Sequence, residues 1–443
     1  MLTIHKSIVP KNSFSRYCSF SIKKLRPTLY YAILTVDRKE VNRLFSLACN
    51  FQKKKSATKG FSKKETPLKY ISENFHTTIK DHLKEFLFNY FITNHLFEKL
   101  YEEKISFAGE PRLVDINLEH DQDAKFTFEL TISPKISLFD WKHLPFKAPK
   151  RKQYKDLDKQ VENFYKTEKE HTKKFTPKLT HAGDWICFES ILVDHDGQAY
   201  FEDYSVPLWL KIGCEEADQI LHEGFKDIYL NKSFITNNNI LQDHFSPQLN
   251  NSYNFKICIK DFTQHNAFDF ELLKKHFKIK NNKDMSKKLI EVFSYRNNLS
   301  QRRTTAEETL QLMLNKHKFD APNHLVIRQE RILLNTIQQN PDYYVYRTQK
   351  DFNHYVKKLA EKQSKEMILL DYIAFNENIL PQREDIKSYL NLSQRSRTKE
   401  FLYFDLIETQ INGREMPLSE HMLRRICSRE KTLNHIINHL TKH

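Results

Sequence analysis

The sequence predicts an α+β multidomain protein with an α+β N-terminal domain, a small β-rich domain after it and an all-helical C-terminal domain. Three observations predict this. The chain has 443 residues, too many for one ordinary core. Its apolar periodicity changes from helical to alternating near residue 183 and returns to helical after residue 266. Its charge is uneven: the net charge is +15, yet residues 1–80 alone hold 17 Lys and Arg against 4 Asp and Glu. The boundaries that follow are 1–148, a connecting helix over 149–177, 178–262 and 263–443, with residues 1–24 expected to be disordered.

The elements follow in chain order. "TLYYAILTV" (28–36) is β-branched and aromatic and predicts a strand. Asp37 then caps a helix, Glu40 takes the capping-box position, and Val41, Leu44, Phe45 and Ala48 repeat on one face. A basic loop intervenes before Pro67, which suits the first turn of a second helix whose face carries Leu68, Ile71 and Phe75. A long helix continues through Ile79, Leu83, Phe86, Leu87, Tyr90 and Phe91, and "KFTFELTI" (125–132) alternates as a half-buried strand. In the β-rich stretch, "GDWICFESIL" (183–192), "LWLKIG" (208–213) and "YNFKICIKDF" (253–262) read as strands, with a hairpin turn at Asp196-Gly197. Helical spacing then runs through Leu272, Leu273 and Phe277, through Leu289, Ile290 and Phe293, and through Leu325, Ile327, Ile332, Leu333 and Ile337. Two further helices cover 364–381 and the stretch from Met422 to Leu440.

Composition excludes several classes. A hydrophobic fraction of 39% with 13% aromatics supports a packed fold. No apolar run approaches a membrane span, so a soluble, cytoplasmic protein is expected, with no membrane partner. The cysteines at 18, 49, 187, 214, 258 and 427 form no C-x-x-C pair and read as reduced thiols. Residues 1–36 contain no acid, which would also suit an organelle transit segment.

No nucleotide-binding loop, nucleophile elbow or metalloprotease motif is present, so no cofactor is expected. His435, His439 and His443 share a helix face but read as surface residues, and no metal site is assigned. Asp194, Asp196, Glu202 and Asp203 could pair carboxylates but read as turn chemistry. The aromatic set Trp185, Phe188, Phe201, Trp209, Phe225, Phe245 and Phe255 reads mostly as core, with a few rings able to line an apolar pocket. The stretch "TKGFSKKETP" (58–67) stands out, because Phe61 is an apolar ring among Lys59, Lys63 and Lys64. That pattern is an apolar anchor in an electrostatic rim. The basic N-terminal end favours a polyanion.

The chain resembles trigger factor, the ribosome-associated chaperone family of bacteria. That family carries G-F-R-x-G-K-x-P in a loop between two helices, matched here by Gly60-Phe61-Ser62-Lys63-Lys64-Glu65-Thr66-Pro67. "FEKLYEEKISFAGEPRL" (97–113), the strand from residue 125, the segment 183–230 and the helix from residue 356 are similar to later parts of the family in the same order. The resemblance implies that residues 178–262 form an inserted prolyl-isomerase domain like FK506-binding proteins. Its pocket would fall on Phe188, Leu221, Phe245 and Phe255. It also implies ribosome docking near the exit tunnel through Gly60, Phe61, Lys63 and Lys64, ATP-independent shielding of nascent and unfolded chains, and, away from the ribosome, a homodimer among the states allowed. Two departures matter. Ser62 replaces the family's arginine, which removes a bidentate fork. His222-Glu223-Gly224-Phe225 replaces I-P-G-F, which makes the pocket wall polar, so weak or absent isomerase activity is expected. An active isomerase and a basic RNA-binding protein are the alternatives.

Overall fold

A computed structural model describes residues 17–55, 60–62, 64–149, 156–174, 179–202, 204–213, 215, 218, 224–247, 253–296 and 299–441. The N-terminal unit is an antiparallel sheet of order β1-β2-β4-β3, with β1 Cys18–Arg26, β2 Leu29–Val36, β3 Arg112–Asn117 and β4 Ala124–Thr131. The strands β2 and β4 match the sequence reading. β1 corrects the disorder expected over 18–24: its serines and lysines dilute the strand signal, but register with β2 from Cys18–Val36 to Arg26–Leu29 forms it. One face of the sheet, including Ala32, Leu34, Phe126 and Phe128, is buried under helices α1 Arg38–Lys55, α2 Leu68–Asn74, α3 His76–Leu87 and α4 Thr93–Glu102. Asp37 Oδ1 accepts from the Lys39 amide at 2.8 Å, a cap as expected, while Glu40 lies 3.5 Å from Arg43. Val41, Leu44, Phe45 and Ala48 are buried. Pro67 is the residue just before α2, and Leu68 is exposed, because Ile71 alone of that short helix reaches the core.

Between α3 and α4 the helix widens into one π turn, Phe88–Ile92, in which the Thr93 amide reaches back to the Phe88 carbonyl. A π turn displaces the regular ladder and frees carbonyls for other partners.

After α5 Leu157–Lys174 comes a sheet of order β13-β6-β5-β8-β7. Its members are β5 Trp185–Val193, β6 Val206–Lys211, β7 Ser233–Thr236 and β8 Asn254–Thr263, with α6 Asn239–Phe245 alongside. β13, Leu418–Ser419, comes from the C-terminal region. At the expected hairpin, Asp194 Oδ1 accepts from the amides of Asp196 and Gln198 at 2.9 and 2.8 Å, which is turn chemistry. Among the described residues only an isolated bridge, Val193 to Ala199, follows it directly; β6 begins at Val206 and pairs with β5.

The near-continuous burial of β5 has a simple cause: both faces of this sheet are covered. Ile186, Phe188 and Leu192 join the core of the N-terminal helices, whereas Trp185, Cys187 and Trp209 join a second core built with C-terminal helices. The β-rich unit is therefore a central layer packed on both sides.

The C-terminal region contains α7 Phe270–Phe277, α8 Asn282–Phe293, α9 Gln301–Lys316, α10 Asn323–Gln338, α11 Tyr343–Arg347, α12 Phe352–Asn376, α13 Arg383–Ser393, α14 Ser396–Lys399 and α15 Glu420–Leu440. It is not wholly helical: two-residue strands β9 Tyr295–Arg296 and β10 Leu299–Ser300 pair, as do β11 Gln410–Ile411 and β12 Arg414–Glu415. Helices α10 and α12 pack together as an arm. The expected apolar face of α10 is only partly inside; Leu325 is buried but Ile327 and Ile332 are exposed, because the outer part of the arm has no layer to pack on.

A buried ionic knot ties the arm to the rest. Asp371 of α12 lies 3.1 Å from Arg425 and 2.8 Å from Arg429 of α15. Arg425 also pairs with Glu110 at 2.7 Å, donates to the Gly109 carbonyl at 2.8 Å and lies over the Phe107 ring. Burial alone would raise the Asp371 carboxyl; the two guanidinium groups outweigh it and hold it below the usual range. Replacing Asp371 with Asn should destabilise the protein by about 3–5 kcal/mol, read as a lowered urea midpoint, because two buried cations lose their shared anion.

Candidate functional site

The basic loop leaves α1 and returns through Pro67. Gly60 has φ +93 and open space where a Cβ would stand, so it is there for backbone conformation and not for close packing. Phe61 is 38% exposed, and its ring lies 5.1 Å from that of Tyr70 on α2. Lys64 also has positive φ, at 73°, and is exposed. Behind this tip, Thr66 and Ile71 are fully buried, and the Glu65 amide donates to the Ser62 carbonyl at 3.0 Å. The tip thus rests on a packed base. Gly60, Phe61 and Lys64 come together there, while Lys59 and Lys63 lie outside the described residues. The sequence reading missed Tyr70, the ring that backs Phe61; its signal was a second aromatic in the short helix after the loop.

The N-terminal cations are not all available to a partner. Arg43 stacks over Tyr200 and Phe201, Lys54 Nζ sits 2.7 Å from His195 Nε2, and Lys80 pairs with Glu119. Arg43 and Lys54 therefore help hold α1 against the central sheet.

The aromatic pocket residues behave differently. Phe188, Phe245 and Phe255 are buried, with Phe188 against Phe225 at 5.3 Å and Phe245 against Phe255 at 5.2 Å. Leu221, with His222 and Glu223, lies outside the described residues. The three rings do not face solvent. Phe86 and Tyr90 of the N-terminal unit pack on Phe245, with centroids 6.1 and 5.0 Å away.

Hydrogen bonds lock this seam. The Leu192 amide donates to the Tyr90 hydroxyl at 2.8 Å, and the Tyr204 hydroxyl donates to the Tyr90 carbonyl at 2.7 Å. Asn89 donates to the Phe245 carbonyl at 3.1 Å. His82 is buried between Tyr253, 2.6 Å from Nε2, and Ser246, 2.9 Å from Nδ1. Ser246 in turn donates to Glu85 at 3.1 Å. This chain assigns the proton to Nδ1 and makes Nε2 the acceptor for the Tyr253 hydroxyl. The serine and histidine of this seam are internal, so they form no open nucleophile site.

Elsewhere, His435 and His439 pack their rings against Trp141, and His443 lies outside the described residues. The described cysteines 18, 49, 187, 258 and 427 are free thiols. No helix among the described residues is long and apolar enough to cross a membrane.

Burial pushes the His82 imidazole down to about 3. The sign follows from linkage: below about pH 6.5 the unfolded chain takes up a proton that the folded chain refuses, so stability falls as the solution is acidified. The expected slope is about 1.4 kcal/mol per pH unit for this one group between about pH 6 and 4. Urea unfolding of wild type and His82→Gln across that range should give a flatter pH dependence for the variant.

Comparison with known proteins agrees on the N-terminal part. Residues 18–165 match the family model described as bacterial trigger factor protein. The trigger factors of Rickettsia massiliae and Rickettsia rickettsii are 26% and 25% identical to this chain over 139 residues. That stretch is 31% of this chain and 30% of either relative's length. A solved structure of the trigger factor chaperone, from work on its promiscuous substrate recognition in folding and assembly, aligns over 94% of this chain and 99% of its own. Its identity is 12% and its TM-score 0.37. The similarity to trigger factors thus falls on the N-terminal third of the chain.

Proposed function

We propose that this chain, with a trigger factor-like N-terminal third, is an ATP-independent chaperone. It docks at the ribosome near the exit tunnel through the Gly60-Phe61-Lys63-Lys64 tip and shields nascent or unfolded polypeptides. The observation that carries this reading is Phe61, an exposed ring on a packed base, in the segment that matches the family. A rigidly presented ring needs little ordering on binding, and lysines around it steer it to an anionic surface. The loss of the family arginine at Ser62 is offset in part by Lys64, exposed beside the ring. The exposed apolar side chains of the arm, Ile332, Tyr344, Val345 and Tyr355 among them, support scattered contact with unfolded chains.

The central sheet serves in this reading as a structural layer, without appreciable prolyl-isomerase activity. Its pocket-type rings are buried against the N-terminal unit, and catalysis of X-Pro rotation needs an apolar site that a substrate can enter.

Ribosome co-sedimentation at low salt tests the docking. Wild type should pellet, and the Phe61→Ala/Lys63→Ala double variant should bind about tenfold more weakly or less, as expected for loss of an interface anchor. If wild type stays in the supernatant, the docking claim is lost. A proline-limited refolding assay tests the second claim: the protein should leave the slow phase unchanged. Acceleration that disappears in Phe255→Ala would instead make the sheet an active isomerase.

A further inference from the structure

The β1–β2 hairpin carries a second surface, separate from the loop and the arm invoked above. β1 is nine residues long and pairs on one side with β2; its other edge pairs with no strand among the described residues. An open edge of this length is a template for another strand. Toward the hairpin end, an apolar groove of about 360 Å3 lies over one face of the sheet and reaches this strand at Ile22. Its lining takes Ile22 and Tyr30 from the hairpin, Ile105, Ser106 and Ile132 from the neighbouring segments, and Phe375 of α12, 43% exposed. Lys104 stands on its rim.

The charge around the groove has one sign on the hairpin. Lys23, Lys24 and Arg26 are exposed and pair with no carboxylate among the described residues, and between them Leu25 is 40% exposed. Glu103 is the acid next to Lys104 in sequence, and Glu102 is already paired with Lys99 at 2.6 Å. A strand added along β1 would alternate its side chains between the groove side and the outer side. Apolar side chains would enter the groove beside Ile22 and Phe375. Acidic ones would meet Lys23 and Arg26 on the outer side, since Lys23 pairs with Tyr31 and Arg26 with Leu29, on the face opposite Ile22 and Tyr30.

We propose that the β1 edge and its groove bind a partner protein's extended segment that alternates apolar and acidic residues, by strand addition. Main-chain hydrogen bonds hold such a segment, and the groove and cations select it. Nucleic acid fits less well, because the groove is lined almost wholly by apolar side chains. The surface does not depend on ribosome docking, and its test uses no ribosome.

Fluorescence anisotropy on the full chain reads it, with a fluorescein-labelled peptide of about ten residues alternating Glu and Leu, long enough to span β1. The acidic peptide should bind. A version with Lys for Glu, and one with alternate backbone amides methylated, should each bind about tenfold more weakly or less. Phe375→Ser and Lys23→Glu, both at exposed positions, should each weaken the acidic peptide about tenfold while melting as wild type does. Equal binding of all three peptides, or unchanged binding by both variants, would overturn the proposal. So would a concentration-dependent dimer that Phe375→Ser dissociates and the peptide does not. So would tight, salt-sensitive binding of single-stranded RNA with no peptide binding.

Discussion

The structure turns on one side chain, Tyr90. It sits in the π turn that interrupts the long N-terminal helix, and it is fully buried where that helix meets the central sheet. Its hydroxyl takes the Leu192 amide and its carbonyl takes the Tyr204 hydroxyl. A backbone carbonyl carries two lone pairs, so this one can take the Tyr204 hydroxyl from across the seam. A buried tyrosine must place its hydroxyl on a partner, which fixes the sheet's position relative to the helix. His82, one face of the same helix further back, repeats the device with Tyr253 and Ser246.

From that seam the layers follow. The face of the central sheet that carries Phe188 and Phe255 belongs to the N-terminal core, and the opposite face belongs to the C-terminal helices. Leu418–Ser419 then extends the sheet from the far end of the chain. The Asp371–Arg425–Arg429 knot closes the arrangement, joining α12 and α15 to Glu110 and Gly109 of the N-terminal unit. A chain that reads as consecutive domains is thus stitched together by contacts between segments remote in sequence.

What was legible in the sequence follows the strength of local signals. The face Val41, Leu44, Phe45 and Ala48 was plain because a helix on a sheet buries an uninterrupted stripe. β4 was plain because it alternates. β1 was hidden, because an edge strand with one solvent side tolerates serines and lysines that mimic loop composition. The loop around Phe61 was visible as an apolar residue out of place, but its backing by Tyr70 was not, since ring stacking leaves no mark in a one-dimensional pattern. Phe188, Phe245 and Phe255 were legible as apolar positions only. Whether such rings line a cleft or fill a core depends on what lies opposite them, and here that is Phe86 and Tyr90 for Phe245, and Tyr90 for Phe255, all from more than a hundred residues earlier.

By itself the sequence determined the kind of most long elements, β1 and α9 excepted, the basic bias of the first residues and the presence of a glycine-phenylalanine tip, because period, charge and backbone permissiveness are local properties. Only the tertiary structure decided which cations have no carboxylate partner among the described residues, as Lys24 and Lys64, and which are used internally, as Arg43 and Lys54 are. It alone decided that the aromatic face is closed and that the arm's Ile332 and Tyr344 stay in solvent. Burial and pairing are relations between distant segments, and no single stretch of sequence contains both members.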